Sequence, residues 1–272
     1  MDGDGFTRCG RGHVHWGRFG AAGLLLFSEG HVLLQQRAWW CNGGGTWCLF
    51  GGGRHSNEDP LTAALRETSE ESSLDVSIVR LHGRILDDHG GWSYTTLIGS
   101  SPHRPRVDGA SSETKAARWV PVSEVDALRL FAPFGAAWPT LRSMLTRVVL
   151  IVDAANVMGS RPDGWWRDRL GAARRLRDGL AGLGPVPLGP FDEAYPELVL
   201  VVEGAARPLE SAGGVRVVAA PGSGDDEIVR QIGDDGAHYV VVTADRELRR
   251  RCEEAGARVL GPRWLLDLLD RA

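Results

Sequence analysis

Apolar positions fall into two regimes along the chain. In the first, short apolar stretches alternate with tight turns. Gly20–Phe27 and His31–Gln36 flank Glu29-Gly30, a pattern that predicts a β-hairpin. Two glycine triplets follow, Gly43-Gly44-Gly45 and Gly51-Gly52-Gly53, and a helical pattern starts at Pro60. Further strands are predicted at Val76–Leu81, Trp92–Ile98 and Ala117–Val120, and a last helix at Gly135–Thr146. Hairpins combined with two helices predict an α+β layer structure. The second regime opens at Val148–Val152, a continuous apolar run ending in Asp153, of the kind found in strands buried on both faces. Leu198–Val202, Val215–Ala219 and Tyr239–Thr243 repeat that pattern. Helical patterns at Trp165–Leu183, Asp225–Ile232, Arg246–Ala255 and Pro262–Leu269 alternate with them, which predicts an α/β domain with a mainly parallel sheet. The boundary is placed near Arg147, giving domains at 1–146 and 147–272.

Composition supports two cores. A chain of 272 residues with 43% hydrophobic and 24% charged positions folds, and a largely disordered state is excluded. The longest apolar run, Phe19–Phe27, falls short of the roughly 18 residues that a membrane-crossing helix needs. The acidic start, Met1-Asp2-Gly3-Asp4, lacks the basic-then-apolar order of a signal peptide. Four scattered cysteines do not form a disulfide framework, so the expected compartment is the cytoplasm. With a net charge of −4 and a pI near 6.1, any contact with nucleic acid must be local rather than driven by a global field.

The first half carries its chemistry on one helix. Asp59 before Pro60 is a favourable helix start, and Leu61, Ala64, Leu65 and Thr68 share a face at i, i+3, i+4, i+7 spacing. Glu67, Glu70 and Glu71 form a separate stripe of like charge, which asks for a counter-charge such as a divalent cation with oxygen ligands. Taken alone, the stripe reads as a solvated glutamate face. The larger arrangement, Gly52, Glu58, then Arg66-Glu67-x-x-Glu70-Glu71-x-x-Leu74, resembles the Nudix box, G-x5-E-x7-R-E-U-x-E-E-x-G-U with U a bulky aliphatic. Gly45-Thr46-Trp47 upstream and Arg118-Trp119-Val120-Pro121 with Glu124 downstream are also similar to Nudix domains.

That resemblance implies an α/β/α sandwich with a mixed sheet and hydrolysis of a nucleoside diphosphate linked to another moiety. It implies Mg²⁺ or Mn²⁺ held by Glu67 and Glu71 with the Gly51 carbonyl, Glu70 as ligand or general base, and Arg66 bracing Glu67 and Glu58. Thr68 stands where an aliphatic residue is usual, Ser73 replaces a glycine just past the helix, Phe50 a proline, and Cys48 a small residue. Ala116 stands where many members have a further glutamate, with Glu113 three residues upstream. A left-handed Ser73 would cost about 1 kcal/mol.

In the second half, acidic residues fall at or after predicted strand ends: Asp153 with Asn156, Asp225 and Asp226 after Gly-Ser-Gly, Asp245, and Glu203 as a further candidate. Ligand crevices of open α/β sheets lie at those ends, although Asp225 and Asp245 also read as helix N-caps. The set resembles the NYN branch of PIN-like nucleases. By that resemblance Asp153, Asp225, Asp226 and Asp245 bind Mg²⁺ or Mn²⁺ for RNA cleavage, with Asp153 and Asp245 catalytic. Arg161, Trp165, Trp166, Arg167 and Arg169 could contact a single strand by charge and stacking, or Trp165 and Trp166 could simply pack.

Three other features carry weaker signals. Cys9, His13 and His15 have zinc-ligand chemistry, but structural zinc takes four ligands and Cys41 or Cys48 is too distant to assign. Gly222-Ser223-Gly224 is a turn into a helix and not a phosphate loop. Trp39 and Trp40 could stack on a base, packing being the more ordinary role. The expectation is therefore a divalent-cation-dependent phosphohydrolase fused to a metal-dependent ribonuclease domain. The alternative makes the second domain the working enzyme and the first a nucleotide sensor.

Overall fold

The computed structural model describes residues 2–271, which form two compact units. One runs to Leu145 and includes Leu188–Glu193; the other comprises Thr146–Pro187 and the chain from Ala194 onward. The elements of the first are β1 (Phe6–Arg8), β2 (Val14–Trp16), β3 (Ala21–Ser28), β4 (His31–Arg37), β5 (Trp47–Cys48), β6 (Phe50–Gly53), α1 (Pro60–Glu71), β7 (Arg80–Asp88), β8 (Ser93–Ser100), β9 (Thr114–Pro121) and α2 (Ala132–Arg142). Those of the second are β10 (Val148–Asp153), α3 (Ala154–Gly159), α4 (Arg169–Ala181), β11 (Glu193–Ala194, which straddles the division), β12 (Glu197–Val202), β13 (Val215–Ala219), α5 (Gly224–Arg230), β14 (His238–Val242), α6 (Arg246–Glu254), β15 (Arg258–Leu260) and α7 (Pro262–Leu269).

The first unit is built on a mixed sheet. β3 is buried along almost its whole length because it pairs on both edges: antiparallel with β4 and β6, parallel with β8. β7 is antiparallel to β8, and β9 to β4. Helix α1 lays Ala63 and Ala64 against Ala22, Leu24, Leu26, Phe50 and Leu97, so its small residues allow close approach to the sheet. Thr68 is buried on this face too, and its hydroxyl donates to the Ala64 carbonyl at 2.7 Å, so the polar group in the aliphatic position is satisfied within the helix.

Several expectations change here. Among the described residues the non-glycine position with positive φ is Glu29, so Ser73 carries no left-handed strain. The helix ends instead on Ser72, extended, whose hydroxyl donates to Thr68 O at 2.6 Å and accepts from Leu74 N at 3.2 Å. Val76–Leu81 is not one strand: Val76–Ile78 forms a 3₁₀ turn started by the Asp75 side chain, and the strand begins at Arg80. Trp165–Leu183 likewise divides into a 3₁₀ turn, Trp165–Arg167, and α4, capped by Asp168. A single boundary near Arg147 also fails to separate the units, because Leu188–Glu193 returns to the first. There the Phe191 ring fills the space beside Gly83, where a Cβ would meet it at 2.1 Å, and Asp192 accepts from Leu86 N at 2.8 Å.

The second unit has a parallel five-stranded sheet in the order β13-β12-β10-β14-β15. Every residue of β10 is buried, as its continuous apolar run predicts. Strand order reverses on either side of β10, which places a crevice at its carboxyl end, at Asp153. Among the described residues no helix is long and apolar enough to cross a membrane.

The start of α1 rests on Asp59, whose carboxylate accepts from Leu61 N at 2.9 Å and Thr62 N at 3.2 Å. Asp59→Ala is expected to cost about 1 kcal/mol of stability in urea unfolding, with Asp59→Asn losing clearly less.

Candidate active sites

In the first unit the acidic stripe is folded against the glycine strand. Register places Gly51 opposite Gly23 and Gly52 opposite Ala22, and α1 crosses this pair. A Cβ at Gly52 would lie 2.5 Å from the Glu67 carboxyl carbon, so glycine is needed there to let that carboxylate rest on the strand. Gly51, at φ +153°, donates its N–H to Glu71 Oε2 at 3.2 Å, and a Cβ there would meet Ala22 O at 2.3 Å. The same Glu71 oxygen accepts from Gln35 Nε2 at 2.8 Å, and Thr114 Oγ1 donates to Gln35 Oε1 at 2.7 Å, fixing the amide's orientation.

Arg66 is the counter-charge within the helix. Its Nε and Nη2 grip Glu58 at 2.8 and 2.9 Å, Nη1 reaches Glu67 at 2.8 Å and Glu70 at 3.1 Å, and Nη2 also donates to Gly53 O at 3.0 Å. This two-pronged contact is the main reason that the Glu58 carboxyl is held below its ordinary value, and the Arg66 guanidinium is pushed up in return. Burial dominates at the other two positions. It raises Glu67 in spite of Arg66, and lifts Glu71 to about 7 against the bonds from Gly51 and Gln35, with the Glu67 charge adding to the rise. Two half-buried carboxylates, both held above their usual range by desolvation and by neighbouring acids, are a donor set that suits a hard divalent cation. Glu70 is half-exposed, held only by Arg66.

Trp39 and Trp40, just before the first glycine triplet, are exposed (79% and 57%) and meet edge to face, so they do not pack into the core. Glu113 is exposed just before β9, and Arg118 lies over the Trp47 ring at 4.4 Å. The sequence reading missed Gln35, a buried amide in a strand with no motif to mark it.

In the second unit a cavity of about 440 Å³ opens at the carboxyl ends of the strands, lined by Asp153, Asn156, Glu203, Asp225 and Asp245 among others. Asp153 accepts from Asn156 N at 3.0 Å and from Thr243 Oγ1 at 2.9 Å, while Asn156 Oδ1 takes the N–H of Ala244 at 2.8 Å. These bonds tie the ends of β10 and β14 together. Burial raises the carboxyls of Asp153 and Asp225, and the neighbouring acids add to both shifts. Asp245 caps α6 through Leu248 N at 2.8 Å, but Asp225 caps nothing: it lies inside the first turn of α5. Asp226 does not line the cavity. One residue further round α5, it is exposed and paired with Arg251 at 2.7 Å, apart from the lining acids with which the sequence grouped it as a metal ligand. Trp165 is half-buried with Arg169 over its ring at 5.4 Å, whereas Trp166 is 57% exposed.

A mixed sheet with a glycine strand crossed by a helix of paired glutamates defines the class to which the first unit belongs. The NUDIX domain matches residues 17–140. A Mycobacterium tuberculosis protein named 8-oxo-dGTP diphosphatase 3 is 38% identical over 161 residues, covering 55% of this chain and 73% of that protein. A nucleoside triphosphate pyrophosphatase/Nudix hydrolase fusion protein of Bifidobacterium longum is 33% identical over 152 residues, 53% of this chain and 32% of the relative, so the match spans about a third of that protein. The Nudix hydrolase RenU of M. smegmatis, a crystal structure, is 36% identical with a TM-score of 0.48, covering 52% of this chain and 94% of that one. The chain belongs to the Nudix hydrolase family.

Two outcomes follow from this geometry. Because folding raises the Glu71 carboxyl from its ordinary 4.5 to about 7, its stabilising, protonated form is fully present below about pH 4.5 and is lost as pH rises through about 7. Without added divalent cation, Glu71→Gln should therefore melt above wild type at pH 8, and the gap should close by pH 4.5. Gly52→Ala should displace Glu67 and weaken divalent-cation binding at least about tenfold, by more than it lowers the melting temperature would suggest, as read by calorimetric titration.

Proposed function

We propose that the first unit hydrolyses a phosphoanhydride bond in a nucleoside diphosphate-linked substrate with the help of Mg²⁺ or Mn²⁺. The observation that carries this reading is the pair of half-buried carboxylates, Glu67 and Glu71, gathered over the Gly51–Gly52 strand with raised affinity for protons. Glu67 and Glu71, with the Gly51 carbonyl, would hold the cation. When bound, it supplies the positive charge that offsets the negative diphosphate oxygens.

The chain's own groups do the rest. Arg66 keeps Glu67 in place and is itself held by Glu58. Glu70, half-exposed at the edge of the cluster, accepts the proton of the attacking water; its link to Arg66 at 3.1 Å orients the carboxylate. Gln35 and Gly51 fix the Glu71 carboxylate from the sheet side. Trp39 and Trp40 provide exposed ring faces for a nucleobase. The name of the M. tuberculosis relative makes oxidised purine nucleotides part of the substrate panel.

A second reading concerns the other unit, favoured by Asp153, Glu203, Asp225 and Asp245 lining one cavity at the β10 switch point. We infer an NYN/PIN-like, divalent-cation-dependent ribonuclease centre, with RNA approaching past Trp165 and Trp166. In the alternative arrangement this centre is the working enzyme and the Nudix unit senses a nucleotide.

The purified chain, tested with nucleoside triphosphates and their oxidised purine forms, dinucleoside polyphosphates, nucleotide sugars and capped or triphosphorylated RNA, should release phosphate or nucleotide only with Mg²⁺ or Mn²⁺. Glu70→Gln should lose at least about a hundredfold in kcat, since general-base catalysis alone contributes that much, and Glu71→Gln should lose turnover through weakened cation binding; equal turnover in all three proteins removes the reading. Single-stranded RNA cleavage should disappear in Asp153→Asn while nucleotide hydrolysis persists; RNA left intact by wild type under every metal condition removes the second reading.

A further inference from the structure

The loop between β1 and β2 carries Cys9 and His13, β2 carries His15, and the turn between β7 and β8 carries His89. Register across β1 and β2 pairs Thr7 with His15, which puts Cys9, His13 and His15 at one end of the ribbon. The β7–β8 turn then closes on that end: Gly10 N–H donates to Gly90 O at 2.6 Å and the Arg11 guanidinium to Asp88 O at 2.6 Å. As a result, one ligand atom from each of Cys9, His13, His15 and His89 lies within 4.8 Å of every other. Four donors from two separated stretches of chain meet at one point.

Two of these donors have buried nitrogens: His15 Nε2, which has no hydrogen-bond partner, and His89 Nδ1, which faces the Cys9 thiol. A buried, unsatisfied ring nitrogen such as His15 Nε2 is costly and asks for an explanation. Around them the cage is otherwise well ordered. His15 stacks on Trp92 with centroids 3.9 Å apart, and Trp92 Nε1 donates to Gly17 O at 2.9 Å. Asp87 Oδ2 lies 2.9 Å from His89 Nε2, which fixes the ring and turns Nδ1 toward Cys9 and the other donors. A carboxylate holding the far nitrogen of a histidine is the arrangement that orients metal-bound imidazoles.

We propose that Cys9, His13, His15 and His89 bind a structural zinc ion. One thiolate and three neutral imidazoles form a complete tetrahedral set, with no place left for a substrate, and they favour Zn²⁺ over the oxygen-seeking Mg²⁺ of the acidic helix. Zinc–nitrogen and zinc–sulfur bonds of about 2.0–2.3 Å require the widest pair of donors to close by roughly 1 Å. One thiolate leaves a net single positive charge on the centre, which Asp87 offsets through His89. The ion would clip the β1–β2 ribbon to the β7–β8 turn. The residues leading into the ribbon in turn hold the approach to α1: the Asp2 carboxylate accepts from Ser56 Oγ at 2.6 Å and from Ser56 N at 3.3 Å. The site is therefore a support for the segment from which the Nudix helix starts, separate from the carboxylates themselves.

The test is elemental analysis of the full-length chain, followed by stripping with a chelator and titration with Zn²⁺ alone, then with Co²⁺. One zinc per chain is expected, retained in full by Glu71→Gln, and the Co²⁺ form should show intense visible bands of a four-coordinate ion with a thiolate charge-transfer band that Cys9→Ala abolishes. Because Cys9 is buried and its variant can misfold, His13→Ala serves as the second variant, its side chain being exposed. Zinc affinity should fall at least about 100-fold in His13→Ala and about 10–100-fold in Asp87→Asn, which keeps all four ligands. Failure of the stripped wild type to take up zinc, or equal zinc affinity in wild type and His13→Ala, overturns the proposal.

Discussion

Carboxylates that must lie close together and partly out of water dominate the first unit. Their repulsion and desolvation disfavour the folded state, and the surrounding structure is arranged to hold them regardless. Arg66 takes two of them and touches a third; Gln35 and the Gly51 amide take the fourth; Gly52 gives up its side chain so that Glu67 can rest on the strand. The pairing is incomplete by design of charge: one guanidinium faces Glu58, Glu67 and Glu70, and Glu71 has only neutral donors among its hydrogen-bond partners. The cluster therefore keeps residual negative charge beside the glycine strand.

The second unit uses the same currency with different architecture. A parallel sheet brings residues far apart in sequence to one edge, and Asp153, Glu203, Asp225 and Asp245 line one cavity there. Here neutral groups, Thr243, Asn156 and backbone amides, hold the acids, and no arginine is interposed at Asp153. The Cys9–His89 cluster is a third arrangement, softer in its donors. It draws the β1–β2 ribbon and the β7–β8 turn together, and so bears on the same start of α1 that the acidic cluster needs.

Much of this was legible along the chain. Fixed spacing within one helix turns directly into a shared face, so Arg66, Glu67, Glu70 and Glu71 could be placed before any coordinates, and the all-apolar run at Val148–Val152 specified a central parallel strand. The Nudix motif is local for the same reason. Sequence determined these elements because their period and spacing are set by backbone geometry alone.

Tertiary structure decided whatever depends on two distant segments meeting. Gln35 has no motif, yet register between β4 and β9 puts it on Thr114 and under Glu71. Whether Asp225 or its neighbour Asp226 faces the cavity depends on how α5 is rotated against the sheet. Ser73 escaped left-handed strain because Ser72 ended the helix in extended geometry, and Leu188–Glu193 joined the first unit through contacts to β7. His89 lies over seventy residues from Cys9, His13 and His15, beyond the reach of any spacing rule, and only the closing of one turn on another supplied the fourth donor.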